Sequence, residues 1–161
     1  MKRALPFAIA LMLASPAAAQ NAGQIARVRS GASCPGCNLF QADLANKELK
    51  AKSFAGARLR QADLSTSVMN RTSFAKADLR DVNAYGGVFS SANFSGADLT
   101  NATFVGTYLQ GANFSGAKLV GANFSGAEMG RAVGLTQAQL SQACGDGSTE
   151  LPKGLRIGAC R

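Results

Sequence analysis

The residues that could carry chemistry in this chain are few. It has no His, so the commonest general base and the commonest nitrogen ligand for metals are both missing. Four Cys are present, two of them in the run Cys34-Pro35-Gly36-Cys37, and a C-x-x-C run can be a redox site. Asp recurs at related positions, and paired carboxylates can act as general acid and base. Both possibilities depend on the elements that hold these residues.

A five-residue repeat positions all of them. From Leu39 to Met129 an apolar residue returns at every fifth position, and these 19 centres comprise nine Leu, seven Phe, two Met and one Ala. The position two before each centre is mostly small, and the position between them is often Asp or Asn. A period of five fits neither an α-helix nor a β-strand. It indicates a coil that turns a corner every five residues.

Taking every fourth repeat sorts the centres into four columns, two of which are uniform. One column is Leu39, Leu59, Leu79, Leu99 and Leu119, and another is Phe54, Phe74, Phe94 and Phe114. The sequence therefore predicts an all-β solenoid of about five square coils, each of 20 residues, with like side chains stacked inside. Each coil can bury its apolar residues only against its neighbours.

The repeat resembles that of the pentapeptide-repeat proteins. It reads Ala-(Asp/Asn)-(Leu/Phe)-x-x, as in Ala42-Asp43-Leu44 and Ala92-Asn93-Phe94. The resemblance covers residue 37 to about residue 131 and implies a right-handed quadrilateral β-helix with Leu, Phe and Ala inside. It implies little about activity. Some members of that family mimic DNA and bind a topoisomerase, which requires an acidic rod in the cytoplasm. This chain is basic and has the features of an exported protein, so it departs from that pattern twice.

The residues outside the repeat divide into three segments. Residues 1–19 have a basic start, an apolar run and Ala17-Ala18-Ala19 before Gln20, a pattern typical of a cleaved signal peptide. They predict export, to the periplasm or as a secreted protein, with no transmembrane segment after cleavage. Residues 20–36 are expected to form an N-terminal arm or cap, in which Ile25 and Val28 could cover the first coil.

The third segment, residues 132–161, follows the β-helix of residues 37–131 and is expected to form a C-terminal cap. Thr136 and Gln139 have the spacing of a capping box, which predicts a short helix over about residues 137–143. Leu140 would face the last coil. Terminal caps protect a solenoid, because exposed final rungs invite strand addition by other chains.

Four Cys in an exported protein argue for disulfides. Nearly five coils, at roughly 4.8 Å between stacked strands, make a body about 20 to 25 Å long. A disulfide requires Cα atoms within about 7 Å, so bonds between the two ends are excluded unless the N-terminal segment folds back. The predicted pairs are Cys34–Cys37 and Cys144–Cys160, and the same distances exclude a four-Cys zinc site.

A different interpretation makes the chain an exported thiol-disulfide protein that uses Cys34 and Cys37. It requires an accessible and reducible pair, whereas Cys37 occupies the small inward position of the first repeat. The pattern favours a structural staple, although the sequence leaves open whether this bond is formed.

Four of the acidic residues share one position of the repeat, directly before the centre. These residues are Asp43, Asp63, Asp78 and Asp98. Their periodic recurrence favours hydrogen bonds to the backbone of turns over a catalytic pair. One column, Arg58, Asp78, Asp98 and Lys118, could also pair charges between coils.

Basic residues crowd the first half of the repeats. Without Lys2 and Arg3, the 17 basic residues of the chain become 15, against 9 acidic ones, which leaves a net charge of +6. Arg60 and Arg80 share an outward column, and with Arg58 they form a candidate partner-binding face; a merely solvated surface would explain them equally well. Two further basic residues, Lys47 and Lys52, occupy inward positions. They should therefore reach out to solvent or distort their coil.

The sequence thus predicts a monomeric, non-catalytic scaffold with no cofactor, no metal and no small-molecule substrate. The expected partner is an unidentified protein or another anionic surface. Nucleic acid is not expected, because Phe40, Tyr85 and Tyr108 are the only outward aromatic residues suited to stacking on bases.

Overall fold

A computed structural model describes residues 20–161, so the predicted signal peptide lies outside the described residues. Parallel bridges join residues 20 positions apart, from Asn38↔Arg58 to Asn113↔Val133. This is the coil length that the sorted columns predict. Each coil contributes one bridged position to each of four faces. We call them face 1 (Asn38, Arg58, Asp78, Asp98, Lys118), face 2 (Asp43, Asp63, Asn83, Thr103, Asn123), face 3 (Glu48, Val68, Val88, Tyr108, Glu128) and face 4 (Ser53, Ser73, Asn93, Asn113, Val133).

The positions of each five-residue unit have the same structural roles. The bridged residue is followed by the buried centre, and the next two residues form the turn. The turn is closed by a backbone hydrogen bond such as that from Ala42 N to the Leu39 carbonyl, 3.0 Å long. Its second residue has a positive φ, for example 57° at Lys76 and 66° at Gly116. Gly adopts this conformation without steric penalty, which explains why glycines collect at these corners.

The interior consists of four stacked columns of apolar side chains, two of which are made of a single residue type. The Leu column from Leu39 to Leu119 and the Phe column from Phe54 to Phe114 are almost fully buried. In the Phe column the ring centroids of Phe74 and Phe94 lie 5.2 Å apart with nearly parallel planes, as do those of Phe94 and Phe114. Identical residues can stack in this way because every coil repeats the same backbone geometry.

An α-helix, α1 (Ala22–Arg29), covers the first coil. The side chain of Asn21 caps its N-terminus by accepting a hydrogen bond from Gln24 N, and Ile25 and Val28 are buried against the coil. Gln24 Oε1 accepts a 2.7 Å hydrogen bond from Asn38 N, the first rung of face 1. The sequence indicated a cap in this segment but not a helix, since two apolar residues three apart are a weak periodic signal.

A second helix, α2 (Gln137–Leu140), follows the last coil and buries Leu140. The capping box of Thr136 and Gln139 is formed. The helix ends three residues earlier than the sequence predicted, because the chain must become extended at Cys144. There Phe124 N donates to the Cys144 carbonyl, 2.8 Å away.

The ladder also continues past residue 131, where the sequence pattern ends. Asn123 bridges to Cys144 on face 2, and Glu128 bridges to Glu150 on face 3. Strands β1 (Cys144–Gly145) and β2 (Gly158–Ala159) pair in parallel and add two rungs to face 2. The side chain of Gln139 occupies part of the missing rung: its Nε2 donates to the carbonyls of Phe114 and Ala117 at 2.9 and 2.8 Å.

Candidate functional site

The three arginines of the candidate partner-binding face are each engaged with a neighbouring side chain. Arg80 forms a two-point ion pair with Asp78, with contacts of 2.8 and 2.7 Å. Arg60 Nε lies 3.4 Å from Asp81 Oδ2. Arg58 lies over the ring of Phe40, 5.5 Å from its centroid. The arginines therefore lie together on face 1 and its corner with face 2, where acidic neighbours offset much of their charge.

The Arg80–Asp78 pair has the strongest electrostatic signature on this face. Hydrogen bonds from the Arg80 guanidinium hold the pKa of Asp78 below its usual value of 3.8, and the same contact raises the pKa of Arg80. Both groups are charged at neutral pH. The column of Arg58, Asp78, Asp98 and Lys118 thus pairs its charges only partly between coils: Lys118 contacts Asp98 at 3.8 Å, whereas Asp78 is held by an arginine of its own coil.

Sorting the sequence into columns missed one acidic partner. Asp81 occupies the second turn position, which the sequence analysis did not treat as a partner site. Asp81 follows Arg60 by 21 residues in a coil of 20, so the two lie in adjacent coils at the same corner. Comparing charges at the corners as well as on the faces would have paired them.

The recurring acidic residues accept hydrogen bonds from the backbone. In each of the four units the carboxylate accepts the N–H of the residue two positions later, as in the 2.9 Å bond from Ser65 N to Asp63. The other three bonds run from Ala45 N, Arg80 N and Thr100 N. Asn does the same at Asn93 and Asn113. These groups hold the turns in place, which accounts for Asp and Asn at this position of the repeat.

Both pairs of cysteines form disulfides. The Cys34–Cys37 bond spans Cα atoms 5.4 Å apart, and the Cys144–Cys160 bond spans 4.8 Å. Cys34 and Cys37 are buried, and Cys34 N donates to the Ser53 carbonyl at 2.8 Å. The C-x-x-C run is thus built into the first coil, and its sulfurs are shielded from an attacking thiol. The second bond joins the last two rungs of face 2.

The inward lysines are half-buried and leave their coil regular. The backbone carbonyl of Lys47 accepts from Val68 N at 2.8 Å, and that of Lys52 accepts from Ser73 N at 2.9 Å. The stems lie in the inward position while the ammonium groups reach solvent, as long basic side chains do.

One cavity of about 360 Å³ lies between α1 and the first coil. Its lining includes Ile25, Gln41 and the pair Arg29–Asp43, whose charged atoms are 2.9 Å apart. Because these two charges neutralise each other, the pair leaves no net charge in the cavity to attract a small ligand. Within residues 20–161, no group of three or more His, Cys, Asp or Glu is arranged to hold a metal ion. In the same range, no helix is long and apolar enough to cross a bilayer.

Comparison with known proteins identifies the repeat. A family model described as pentapeptide repeats matches in 8 copies at residues 53–83, 88–126 and 109–144, which together make up more than half of the chain. Comparison with curated proteins found no relative of this chain.

Several solved structures are similar to this chain. A pentapeptide repeat protein from the thylakoid lumen of Arabidopsis thaliana is 27% identical with a TM-score of 0.31; the match covers 67% of this chain and only 60% of that protein. Rfr23 from the cyanobacterium Cyanothece 51142 is 23% identical with a TM-score of 0.38, over 80% and 97% of the two chains. QnrB1, a plasmid-mediated fluoroquinolone resistance protein, is 16% identical with a TM-score of 0.35, over 80% and 81%.

Proposed function

The chain belongs to the pentapeptide-repeat family, and we propose that it acts as an exported, monomeric and non-catalytic scaffold. Its solenoid is a right-handed β-helix, and the segment from α2 to the C-terminus closes its end. The scaffold binds a partner through the side chains of its outer faces.

This proposal rests on the outward side chains, which stack in columns along each face. Every coil holds its outward side chains at the same spacing, because the buried Leu and Phe columns and the backbone ladder fix each rung. Side chains held on rigid elements lose little conformational entropy when a partner binds. A surface of this kind supports recognition more readily than a reaction that needs converging groups.

Export is supported by the N-terminal sequence and by the cysteines. The pattern of residues 1–19 is typical of a signal peptide. All four cysteines are in disulfides, which persist in oxidising compartments and are rare in the cytosol. The periplasm is the compartment that fits both features.

Face 1 supplies the first candidate surface for a protein partner. Arg60 and Arg80 are held by Asp81 and Asp78, so their guanidinium groups are oriented before a partner arrives. A guanidinium has five N–H donors, and the Arg80–Asp78 pair uses two of those of Arg80. The remaining donors suit carboxylates of an acidic protein segment.

A crosslinking experiment tests this proposal. The native protein and a variant carrying Arg58→Ser, Arg60→Ser and Arg80→Ser are crosslinked in cells and purified from the periplasm. We expect a reproducible protein partner that the variant loses. The control is Lys153→Ser with Arg156→Ser and Arg161→Ser, which removes the same charge from the exposed C-terminal tail and should keep the partner.

Three results would contradict the proposal. If the face 1 substitutions leave the partner list unchanged, face 1 is not the binding surface. If the tail variant loses the partner to the same extent, binding depends on net charge and not on face 1. Recovery of the protein only from the cytoplasm would refute export.

A further inference from the structure

Sorting the charged residues by face separates face 4 from the other three. Face 4 and its two corners carry five basic residues and no acidic one; these are Lys50, which pairs with Glu48 of face 3, and Lys52, Arg71, Lys76 and Arg131. Face 1 mixes Arg58 and Lys118 with Asp78 and Asp98, and face 3 carries Glu48 and Glu128. Face 2 has only acidic residues of its own. Positive charge without acidic neighbours is therefore concentrated on face 4 instead of on the arginines of face 1.

Three basic residues of face 4 and its corners, Lys52, Arg71 and Lys76, lie in two successive coils and form no ion pair within residues 20–161. Lys52 and Arg71 lie in successive coils beside the corner between faces 3 and 4, and Lys76 lies at the opposite corner. Among the described residues, none of these three has a carboxylate within ion-pair distance, whereas Arg60 and Arg80 each have one. The stem of Lys76 runs along the ladder and passes over Gly96. Its side chain therefore extends toward the following, uncharged rung.

Those following rungs present hydrogen-bond donors. The Oδ1 atoms of Asn93 and Asn113 accept backbone N–H groups of Ser95 and Ser115 at 3.0 and 2.9 Å. Their Nδ2 groups donate to no other residue within the described chain, so they are available to a ligand. Successive rungs are about 4.8 Å apart. The face is thus a flat row of cations and amide donors that runs along the solenoid.

We propose that face 4 binds a linear acidic polysaccharide that lies along this row. The carboxylates of such a polymer would contact Lys52, Arg71 and Lys76, and its hydroxyl and ring oxygens would accept from the amide donors of Asn93 and Asn113. This proposal rests on the proposed role of the protein as a non-catalytic interaction scaffold. It adds a second surface to face 1 and a chemical class for its occupant.

Two other occupants of face 4 fit less well. Single-stranded nucleic acid binds through stacking on aromatic residues, and the outward aromatic residues Phe40, Tyr85 and Tyr108 belong to other faces or corners. A second copy would have to offer the acidic face 2. The carboxylates there are already engaged: Asp43 pairs with Arg29, and Asp63 accepts from Asn83 and from the Ser65 backbone.

The test measures binding of fluorescent polygalacturonate oligomers by anisotropy at several salt concentrations. We expect saturable binding that weakens as salt increases, and no binding of neutral dextran. The charge variant carries Lys52→Ser, Arg71→Ser and Lys76→Ser. Since each basic contact with an anionic surface contributes about fivefold, its affinity should fall about a hundredfold. Ser is tolerated in the inward position of Lys52, because Ser67 is buried in the same position of another repeat.

Two matched variants separate the surface from net charge and from misfolding. Arg58→Ser with Arg60→Ser and Arg80→Ser removes the same charge from face 1 and should change the affinity less than twofold. Asn93→Asp with Asn113→Asp keeps the Oδ1 atoms that accept from the backbone but replaces the free donors with negative charge. Asp63 occupies the same position in another repeat, so the fold should persist while binding falls at least tenfold.

Four outcomes would overturn the proposal. They are no saturable binding to polygalacturonate, equal losses in the face 1 and face 4 variants, an unchanged affinity for the Asn variant, and equally tight binding of single-stranded DNA or of anionic phospholipid vesicles. The last would make face 4 a general polyanion surface. If a protein partner is still captured through face 1 in these cases, this inference alone has failed and the scaffold proposal stands.

Discussion

Removing the central ring of the Phe column tests the packing of the whole solenoid. Phe94 is fully buried and contacts the rings of four neighbours. Its centroid lies 5.2 Å from those of Phe74 and Phe114, and 6.0 and 5.6 Å from those of Phe89 and Phe104. The substitution Phe94→Ala leaves a cavity in the middle of three consecutive coils, which the rigid ladder cannot close.

The expected loss follows from burial and ring contacts. Phe→Ala substitutions in protein cores cost about 3 to 5 kcal/mol, and Phe94 should lie near the upper end because it has coils on both sides. Phe54 in the same column provides the control. It is equally buried, but its ring contacts only that of Phe74, 5.6 Å away, among the described residues. Each aromatic pair contributes about 0.5 to 1.5 kcal/mol, so Phe54→Ala should be at least about 1.5 kcal/mol less destabilising.

Urea unfolding monitored by far-ultraviolet circular dichroism measures both variants against the native protein. The free energies of unfolding are compared with the disulfides intact, so that the ends remain closed. A loss below about 1 kcal/mol for Phe94→Ala, or an equal loss for the two variants, would refute the stacking register described above.

Three further predictions concern the C-terminal end and face 1. Cys160→Ser opens a loop closed by residues 16 apart in sequence and should lower the free energy of unfolding by about 3 kcal/mol. Amide hydrogen exchange should increase at Cys144 and stay unchanged in the first coil. Gln139→Ala removes the amide that caps two carbonyls of the last coil and should lower the free energy of unfolding by about 1 to 3 kcal/mol. The control Gln142→Ala changes an exposed side chain and should lower it little; thermal melts of both variants measure the difference. Asp78 has a pKa lowered in the folded state, so its contribution to stability is present above its usual value of 3.8 and is lost as pH falls through the lower folded value. The gap in melting temperature between the native protein and Asp78→Asn should therefore close on acidification below about pH 4, and a gap independent of pH would contradict this assignment.

Much of the fold could be predicted because the repeat is a local pattern. The alternation of a small inward residue, a polar residue and a large inward residue depends only on positions within one unit. The role of Asp63 could also be inferred, since the N–H that its carboxylate accepts is only two residues away. Sorting the centres by 20 residues required no structure, because two of the four columns are uniform, one in Leu and one in Phe.

The candidate sites depended on contacts that the local pattern does not contain. Arg58, Arg60 and Arg80 form a candidate basic face in the sequence, but the neutralisation of Arg60 by Asp81 and of Arg80 by Asp78 is visible only once side-chain directions at the corners are known. The N-terminal helix and the extra rungs at Cys144 were missed for a related reason. Their contacts join segments without a repeat to the ends of the stack.

The sequence by itself determined the length of the coil, the composition of its columns and the hydrogen bonds of its turns, because these follow from a strict period and from neighbours within one unit. Only the tertiary structure decided which charges neutralise one another and which face keeps its positive charge. A side chain's electrostatic environment depends on residues one coil away and on the direction in which each corner points its side chains. Face 4, where Lys52, Arg71 and Lys76 form no ion pair within residues 20–161, became apparent from that three-dimensional arrangement.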